Sequence, residues 1–203
     1  MANWIPAITT LSGEIVSLLP IGEKHFSELE KLSKEKRIWE HYIYDGSDPD
    51  TFQWFLDYSL EEREKGNHFP FVIIENQTNK LIGSTRFMDI QPKHKKLEIG
   101  TTWLHPDYWG TAINLECKLL LLTFCFETLG TQRVQLKTDE KNVRSRKAIE
   151  KIGGEFEGIV RNDMLRQNGT KRDSALYSIT DREWNEKKSK LTMLLQERKK
   201  SLP

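Results

Sequence analysis

The run Gly110-Thr111-Ala112-Ile113-Asn114 places small and polar side chains between two apolar stretches, LEIGTTWL at residues 97–104 and a longer one at 113–129. A strand that turns through small residues into a helix leaves backbone N–H groups without partners. Together with the helix dipole they make a site for an anion, above all a phosphate. The same pattern also fits an ordinary strand-to-helix connection whose small residues allow close packing. Two phosphate chemistries are excluded by missing residues. There is no G-x-x-x-x-G-K-S/T, hence no P-loop lysine and magnesium hydroxyl, and there is no G-x-G-x-x-G of a dinucleotide fold. A second reactive group precedes the loop: Glu98, one residue into the strand, is placed either to take a proton or to face solvent beside a lysine.

Other reactive side chains form no recognisable set. His25, His41, His68, His94 and His105 lack the spacing of a metal site, and no cysteine lies near them, so no metal is expected. Cys117 and Cys125 stand eight apart on one apolar helix, too far to pair with each other, and read as core residues.

The elements that must position the loop and Glu98 follow from periodicity. A first strand is expected at 14–19 and a helix at 22–33 with Phe26, Leu29 and Leu32 on one face. The aromatic segment 37–44 precedes a helix capped by Asp48 or Asp50 and running to about residue 65. Trp39, Tyr42, Tyr44, Trp54 and Phe55 are expected in the core, with one or two lining a pocket. Strands at 69–75 and 81–90 flank a turn at 76–80, and a second turn at 91–96 leads into the strand at 97. The central helix 113–129 ends at Gly130, where a left-handed residue is wanted. A strand at 133–138, a helix at 142–152 and two strands, 155–165 and 172–180, follow. The last two are joined by Asn168-Gly169, a hairpin signal. A final helix begins near Asp181 and turns Trp184, Leu191, Leu194 and Leu195 toward the body. The expected fold is a mixed α/β unit: a mostly antiparallel sheet interrupted by one strand–loop–helix–strand crossover. It is read as one domain over residues 1–203, with 181–203 as a C-terminal helical tail.

Composition narrows the setting. The chain has 203 residues, 37% of them hydrophobic and 30% charged, with a net charge of +1. That balance gives no nucleic-acid footprint. The basic runs near 93–96 and 187–200 read as solvated surface, the second being interleaved with Glu186 and Glu197. The opening MANWIPAITT lacks the pattern of a signal peptide, and the longest clean apolar run, 119–122, is far short of a membrane span. A cytoplasmic location and no membrane partner are expected.

The element order, with LEIGTTWLHPDYWG, NLECKLLLLTFCFETLG, RVQLKTDEKNVRSRKAIEKIG and NGTKRDSALYSITDREW, resembles the GNAT superfamily of acetyl-CoA-dependent N-acetyltransferases. The resemblance runs from Glu14 to Trp184. It looks most like the RimJ/RimL branch, which acetylates protein N-termini, with its N-x-x-S…E-K-x-G core at Asn142, Ser145, Glu150, Lys151 and Gly153. The loop departs from the family's usual Gln or Arg, two residues, Gly, one residue, Gly or Ala. Here it reads Trp109-Gly110-Thr111-Ala112-Ile113-Asn114. Ala112 would be strained if it had to take positive φ, and helical φ/ψ is the expectation. Ile149 stands where many relatives carry a tyrosine that protonates the leaving thiolate.

The resemblance implies that acetyl-CoA is the acyl donor, with no metal involved. Its pantetheine arm would lie along the end of the strand at Trp103, Leu104 and His105, much as a peptide adds a strand to a sheet. Its pyrophosphate would meet the amides of Gly110, Thr111, Ala112, Ile113 and Asn114. Asn142 would bond the pantetheine as well as cap its helix, and Ser145 would act as the acid at sulfur. Glu98 would take the amine's proton through a water. The acceptor is open between a protein N-terminus and a small-molecule amine. Homodimers are common among such relatives, but no segment marks an interface. The alternative is a non-catalytic acyl-CoA-binding or regulatory protein that kept the fold, a reading to which Ala112, Asn114 and Ile149 lend themselves.

Overall fold

The computed structural model describes residues 4–200. Eight strands form one sheet in the order β1-β2-β3-β4-β5-β6-β8-β7. They are β1 (Leu11–Ser12), β2 (Val16–Pro20), β3 (Phe69–Glu75), β4 (Lys80–Gln91), β5 (Lys96–Leu104), β6 (Arg133–Asp139), β7 (Glu155–Leu165) and β8 (Lys171–Thr180). All neighbours are antiparallel except β5 and β6, which the crossover makes parallel.

Alternation along the strands assigns the helices to two faces. Phe69, Phe71 and Ile73 of β3, Phe87 of β4, Leu97 and Ile99 of β5 and Val134 and Leu136 of β6 share one core. Covering them are α3 (Ile113–Thr123), α4 (Val143–Lys151) and α5 (Asp181–Lys200), through residues such as Leu121, Ile149 and Trp184. On the opposite face Val72, Leu81 and Trp103 pack with α1 (Phe26–Ser33), α2 (Pro49–Glu64) and the aromatic segment before α2. Asp48 starts α2 as its N-cap, its carboxylate accepting from Thr51 N at 2.8 Å, with Pro49 in the first turn.

Two irregularities shape the centre. Ser84 pairs with Trp103 and Arg86 with Gly100, so two residues of β5, Thr101 and Thr102, stand against one of β4, Thr85. Thr101 takes up this bulge at φ +46°. The bulge reverses the alternation. Before it Leu97 and Ile99 face the α3 side; after it Leu104 does, and Trp103 turns to the α1/α2 side. At Gly83 a Cβ would come within 2.1 Å of the Trp103 carbonyl, so only glycine lets β4 lie this close. The second irregularity lies between Met88 and Gln91 of β4, with Asp89 also at φ +46°.

Several details differ from the sequence reading. The two-residue β1 was not expected; it pairs with β2 across the turn at Gly13. The helix foreseen over 113–129 is α-helical only to Thr123 and then widens into a π-turn, Phe124–Thr128, before Gly130 at φ +64°. Trp54, expected in the core, is 54% exposed, because α2 presents it to the outside next to Tyr58. Buried Glu116 of α3 accepts from Glu14 N, Ile15 N and Val16 N at 3.1, 2.6 and 2.8 Å, tying β2 to α3. Among the described residues no helix is long and apolar enough to cross a membrane.

Candidate active site

Strands β5 and β6 pair only through Lys96–Leu97–Glu98 against Arg133–Val134–Gln135, and beyond Glu98 they diverge. The inner edge of β5 is thereby left without a strand partner where it approaches the loop at 105–112. A cleft of about 300 Å³ occupies the gap. It is walled by β5 and β6, by the start of α3 and of α4, and by the segment carrying Tyr42 and Tyr44.

The loop enters α3 with its amides partly free. Gly110 sits at φ +73° with open space where a Cβ would be, whereas Ala112 is helical at φ −69° and buried. The strained position is therefore occupied by glycine, and Ala112 needs no special conformation. The N–H groups of Gly110, Thr111 and Ala112 have no backbone partner in the loop, while Ile113 N reaches the Thr111 hydroxyl at 3.3 Å. The Gly110 carbonyl accepts from Arg198 of α5, with Nε at 3.1 Å. Trp109 donates its indole N–H to the Leu104 carbonyl at 2.9 Å, and the guanidinium of Arg144 lies 3.4 Å over its ring. A cation thus stands beside the loop although the loop itself contains none.

Glu98 reaches the cleft from the α1/α2 side. It is only 5% exposed, and its Oε2 accepts from Gln135 Nε2 at 2.7 Å. Burial pushes its carboxyl above the usual range, against the opposing pull of that hydrogen bond and of the Lys137 charge. Asn142 caps α4 by accepting from Ser145 N at 2.9 Å, which leaves its amide NH2 for a further partner. Ser145 lines the cleft one turn before Ile149, and among the described residues its hydroxyl makes no hydrogen bond.

The structure therefore gathers Glu98, Trp103, Leu104, Gly110, Asn114, Asn142 and Ser145 around one cleft. Thr111, Ala112 and Ile113 support the loop from behind it. His105 is not brought in. Its N–H goes to the Ile82 carbonyl at 2.9 Å and its carbonyl accepts from Tyr108 N at 3.0 Å, so both backbone groups are used within the fold. The Trp103 side chain points into the aromatic cluster, its ring 5.6 Å from that of Trp39.

Sequence reasoning missed Lys118 and Arg144. Lys118 lies one turn beyond Asn114 on the same face of α3, is 6% exposed and lines the cleft. A single lysine inside an apolar helix, four residues after a polar loop residue, was the available signal. Tyr42 and Tyr44, expected at a pocket or in the core, line the cleft at the end away from the loop; Tyr42 donates to the Thr102 carbonyl at 2.9 Å, and among the described residues the buried Tyr44 hydroxyl has no partner. The β7–β8 hairpin closes over this end, Gln167 N bonding the Ile43 carbonyl at 2.7 Å and Gln167 Oε1 accepting from Asp45 N at 3.0 Å.

A sheet splayed between two parallel strands, with a helix N-terminus at one end of the gap and a buried carboxyl in it, leaves a cleft shaped for an extended chain with an anionic end. The description "Acetyltransferase (GNAT) domain" matches residues 16–155, and the chain belongs to that family. The family's enzymes use acetyl-CoA. Two Bacillus subtilis proteins resemble this one over about half its length. YoaA, an uncharacterized N-acetyltransferase, is 32% identical over 107 residues, or 53% of this chain and 59% of YoaA. YdaF, whose name proposes it as a ribosomal N-acetyltransferase, is 33% identical over 108 residues, 53% of this chain and 58% of YdaF. Among solved structures, a GCN5-related N-acetyltransferase from Brucella melitensis superposes with TM-score 0.83 at 26% identity, covering 92% of this chain and 85% of the other. RimJ of Mycobacterium smegmatis, in complex with CoA-disulfide, shares the fold at 18% identity, with TM-score 0.75 over 92% and 93% of the two chains.

Proposed function

We propose that the protein is an acetyl-CoA-dependent N-acetyltransferase acting on a primary amine, either a protein N-terminal α-amine or the amine of a small molecule, by direct attack in a ternary complex. The observation that carries this reading is the gap between β5 and β6, which puts an edge of β5 without a strand partner, loop amides without a backbone partner among the described residues, and the buried Glu98 in one cleft. The donor's fit follows from those groups. An anion suits the amides around Gly110 and the Arg144 charge, and an extended arm suits the open edge of β5 near Trp103. Acetyl-CoA supplies the acetyl group as a thioester.

The chain's own groups divide the remaining work. Glu98, held protonatable by burial, takes the amine's proton through a water, which is easier for an α-amine (pKa about 8) than for a lysine amine (about 10.4). Asn142 would offer its amide N–H2 to the arm, and Ser145, which lines the same cleft, would meet the thioester end. The name of YdaF and the fold shared with RimJ support a protein N-terminus as one acceptor class.

Thermal unfolding with and without acetyl-CoA tests the donor, with ATP and NADH as controls. At 100 times its Kd a ligand stabilises by about 2.7 kcal/mol. For a chain of this size that raises Tm by roughly 5–11 °C. A rise with acetyl-CoA alone supports the proposal, and no rise at millimolar donor sinks it. A panel of N-terminal peptides and small amines, scored by release of free CoA thiol, then separates the acceptor classes.

A further inference from the structure

Lys118 is a buried lysine whose burial nothing in the stability of the fold explains. Its Nζ donates to the Thr102 hydroxyl at 2.6 Å, and that hydroxyl lies 2.7 Å from the Thr85 hydroxyl. Among the described residues it forms no ion pair, although removing a cation from water without a counter-charge is costly. Burial pulls its pKa down to about 8. An ammonium carries three donors, and among the described residues Lys118 has one acceptor, the Thr102 hydroxyl, beside the cleft it lines.

Its position is set by the bulge at Thr101. Reversed alternation turns Thr102 to the α3 side, within the stretch of β5 that has left β6. Lys118 therefore enters the gap from the face opposite Glu98, with Asn114 and the loop amides one turn nearer the helix N-terminus. A donor whose phosphates met the loop amides and whose acyl group reached toward the bulge would carry its sulfur between the two, in the part of the cleft that Lys118 lines.

We propose that Lys118 is the proton donor to the leaving sulfur of acetyl transfer. This rests on the donor reading above. As the amine nitrogen bonds the carbonyl carbon, the carbon–sulfur bond breaks with its electron pair going to sulfur. Lys118 passes one proton to that sulfur and becomes neutral, while Glu98 takes one proton from the nitrogen through water. Exchange of the Glu98 proton for the missing Lys118 proton through solvent restores both groups. The net change is an amine and a thioester giving an amide and a thiol.

An ammonium near about 8 matches an alkyl thiol, about 8.5 in cysteine, far better than a serine hydroxyl does. Ile149 fits the same picture, because a cleft with its acid on α3 needs no hydroxyl from that position of α4. Ser145 is then left to position the thioester. The groups set against Lys118 are Thr102 and Thr85 from the sheet and Cys117 on its own helix, while Glu98, Tyr42 and Arg144 line the same cleft from other elements. Of these only Cys117, itself buried and with its thiol pushed up, acts on its titration.

The test uses CoA and desulfo-CoA as probes of the wild-type protein. With lysine labelled at Cε, NMR follows the titration of Lys118, assigned by loss of its signal in Lys118→Arg. CoA is expected to raise the Lys118 titration midpoint by one pH unit or more, because a neighbouring thiolate favours the ammonium, and desulfo-CoA is expected to leave it in place. In parallel, ultraviolet absorbance of the bound thiolate should place its ionisation lower in the wild type than in Lys118→Met by a similar margin. Equal responses to CoA and desulfo-CoA, or equal thiol titrations in the two proteins, would overturn the assignment. Calorimetry separates the two failures. If the wild type binds no CoA at all, the donor reading falls first and this role falls with it; binding without the titration shift removes Lys118 alone.

Discussion

Replacing Glu98 with Gln separates catalysis from stability in opposite directions. The carboxyl is 5% exposed, accepts from Gln135 at 2.7 Å, and is raised in pKa chiefly by burial. Glutamine keeps the shape, and a rotation of the Gln135 amide restores the hydrogen bond with its carbonyl oxygen facing Glu98→Gln. General-base assistance is worth roughly 10²- to 10⁴-fold, so kcat should fall by that factor, or about 2.7–5.4 kcal/mol of barrier. The affinity for acetyl-CoA should stay within about twofold, since Glu98 approaches from the acceptor side. Stability should move the other way. A carboxyl raised in the folded state contributes stability that is fully present below its unfolded value, near 4.5, and is lost as pH rises through the folded value. Each tenfold difference in proton affinity between the two states corresponds to about 1.4 kcal/mol. At pH 7–8 the variant should therefore unfold at the same temperature as the wild type or higher, and the gap should close toward pH 4. Steady-state kinetics from pH 6 to 9 and calorimetric unfolding from pH 4 to 8 measure both. A variant that keeps its rate, or that is less stable at pH 8 than at pH 5 relative to wild type, would refute the reasoning.

Three further outcomes follow from the same geometry. Arg144→Met removes the guanidinium over Trp109 and should weaken CoA binding by about 1–2 kcal/mol, roughly 5- to 30-fold, with a shallower salt dependence; unchanged calorimetric affinity would show that this cation faces no phosphate. Glu116→Ala deprives three backbone N–H groups of a buried carboxylate and should cost at least about 3 kcal/mol, a fall of roughly 6–12 °C in Tm; a fall under about 2 °C would mean that water replaces the carboxylate freely. Arg198→Ala frees the Gly110 carbonyl and should raise the CoA dissociation rate in stopped-flow measurements while moving Tm by less than about 3 °C, since exposed hydrogen bonds contribute about 1 kcal/mol each; an unchanged rate would separate α5 from the loop.

The local pattern of the chain was enough to specify most of the elements. The apolar run at 69–74, the apolar alternation in 133–138, Asn168-Gly169 and an aspartate cap at Asp48 or Asp50 are short-range signals, and each element formed where such signals place it, with Asp48 taking the cap. The same held for the small-residue loop, because the freedom of Gly110 to take φ +73° is a property of that residue alone. Trp54 shows the limit of composition. An aromatic side chain favours burial, but which way a helix turns it depends on what the helix packs against, and α2 turns it outward.

What only the tertiary structure decided is where the faces of the central strand point. The bulge at Thr101 arises from the registers of β4 and β5 together, and neither strand's sequence announces it. By reversing the alternation it sends Glu98 to one face and Thr102 to the other, so that Lys118 meets a hydroxyl in the cleft instead of being one more lysine on a helix. His105 is the converse case. Its place after the strand suited a ligand, yet pairing with Ile82 and Tyr108 uses its backbone. Sequence fixes which groups are available through local propensity. Pairing between segments far apart in the chain fixes which of them remain unsatisfied and face a common gap, because hydrogen-bond partners and burial are properties of the assembled sheet.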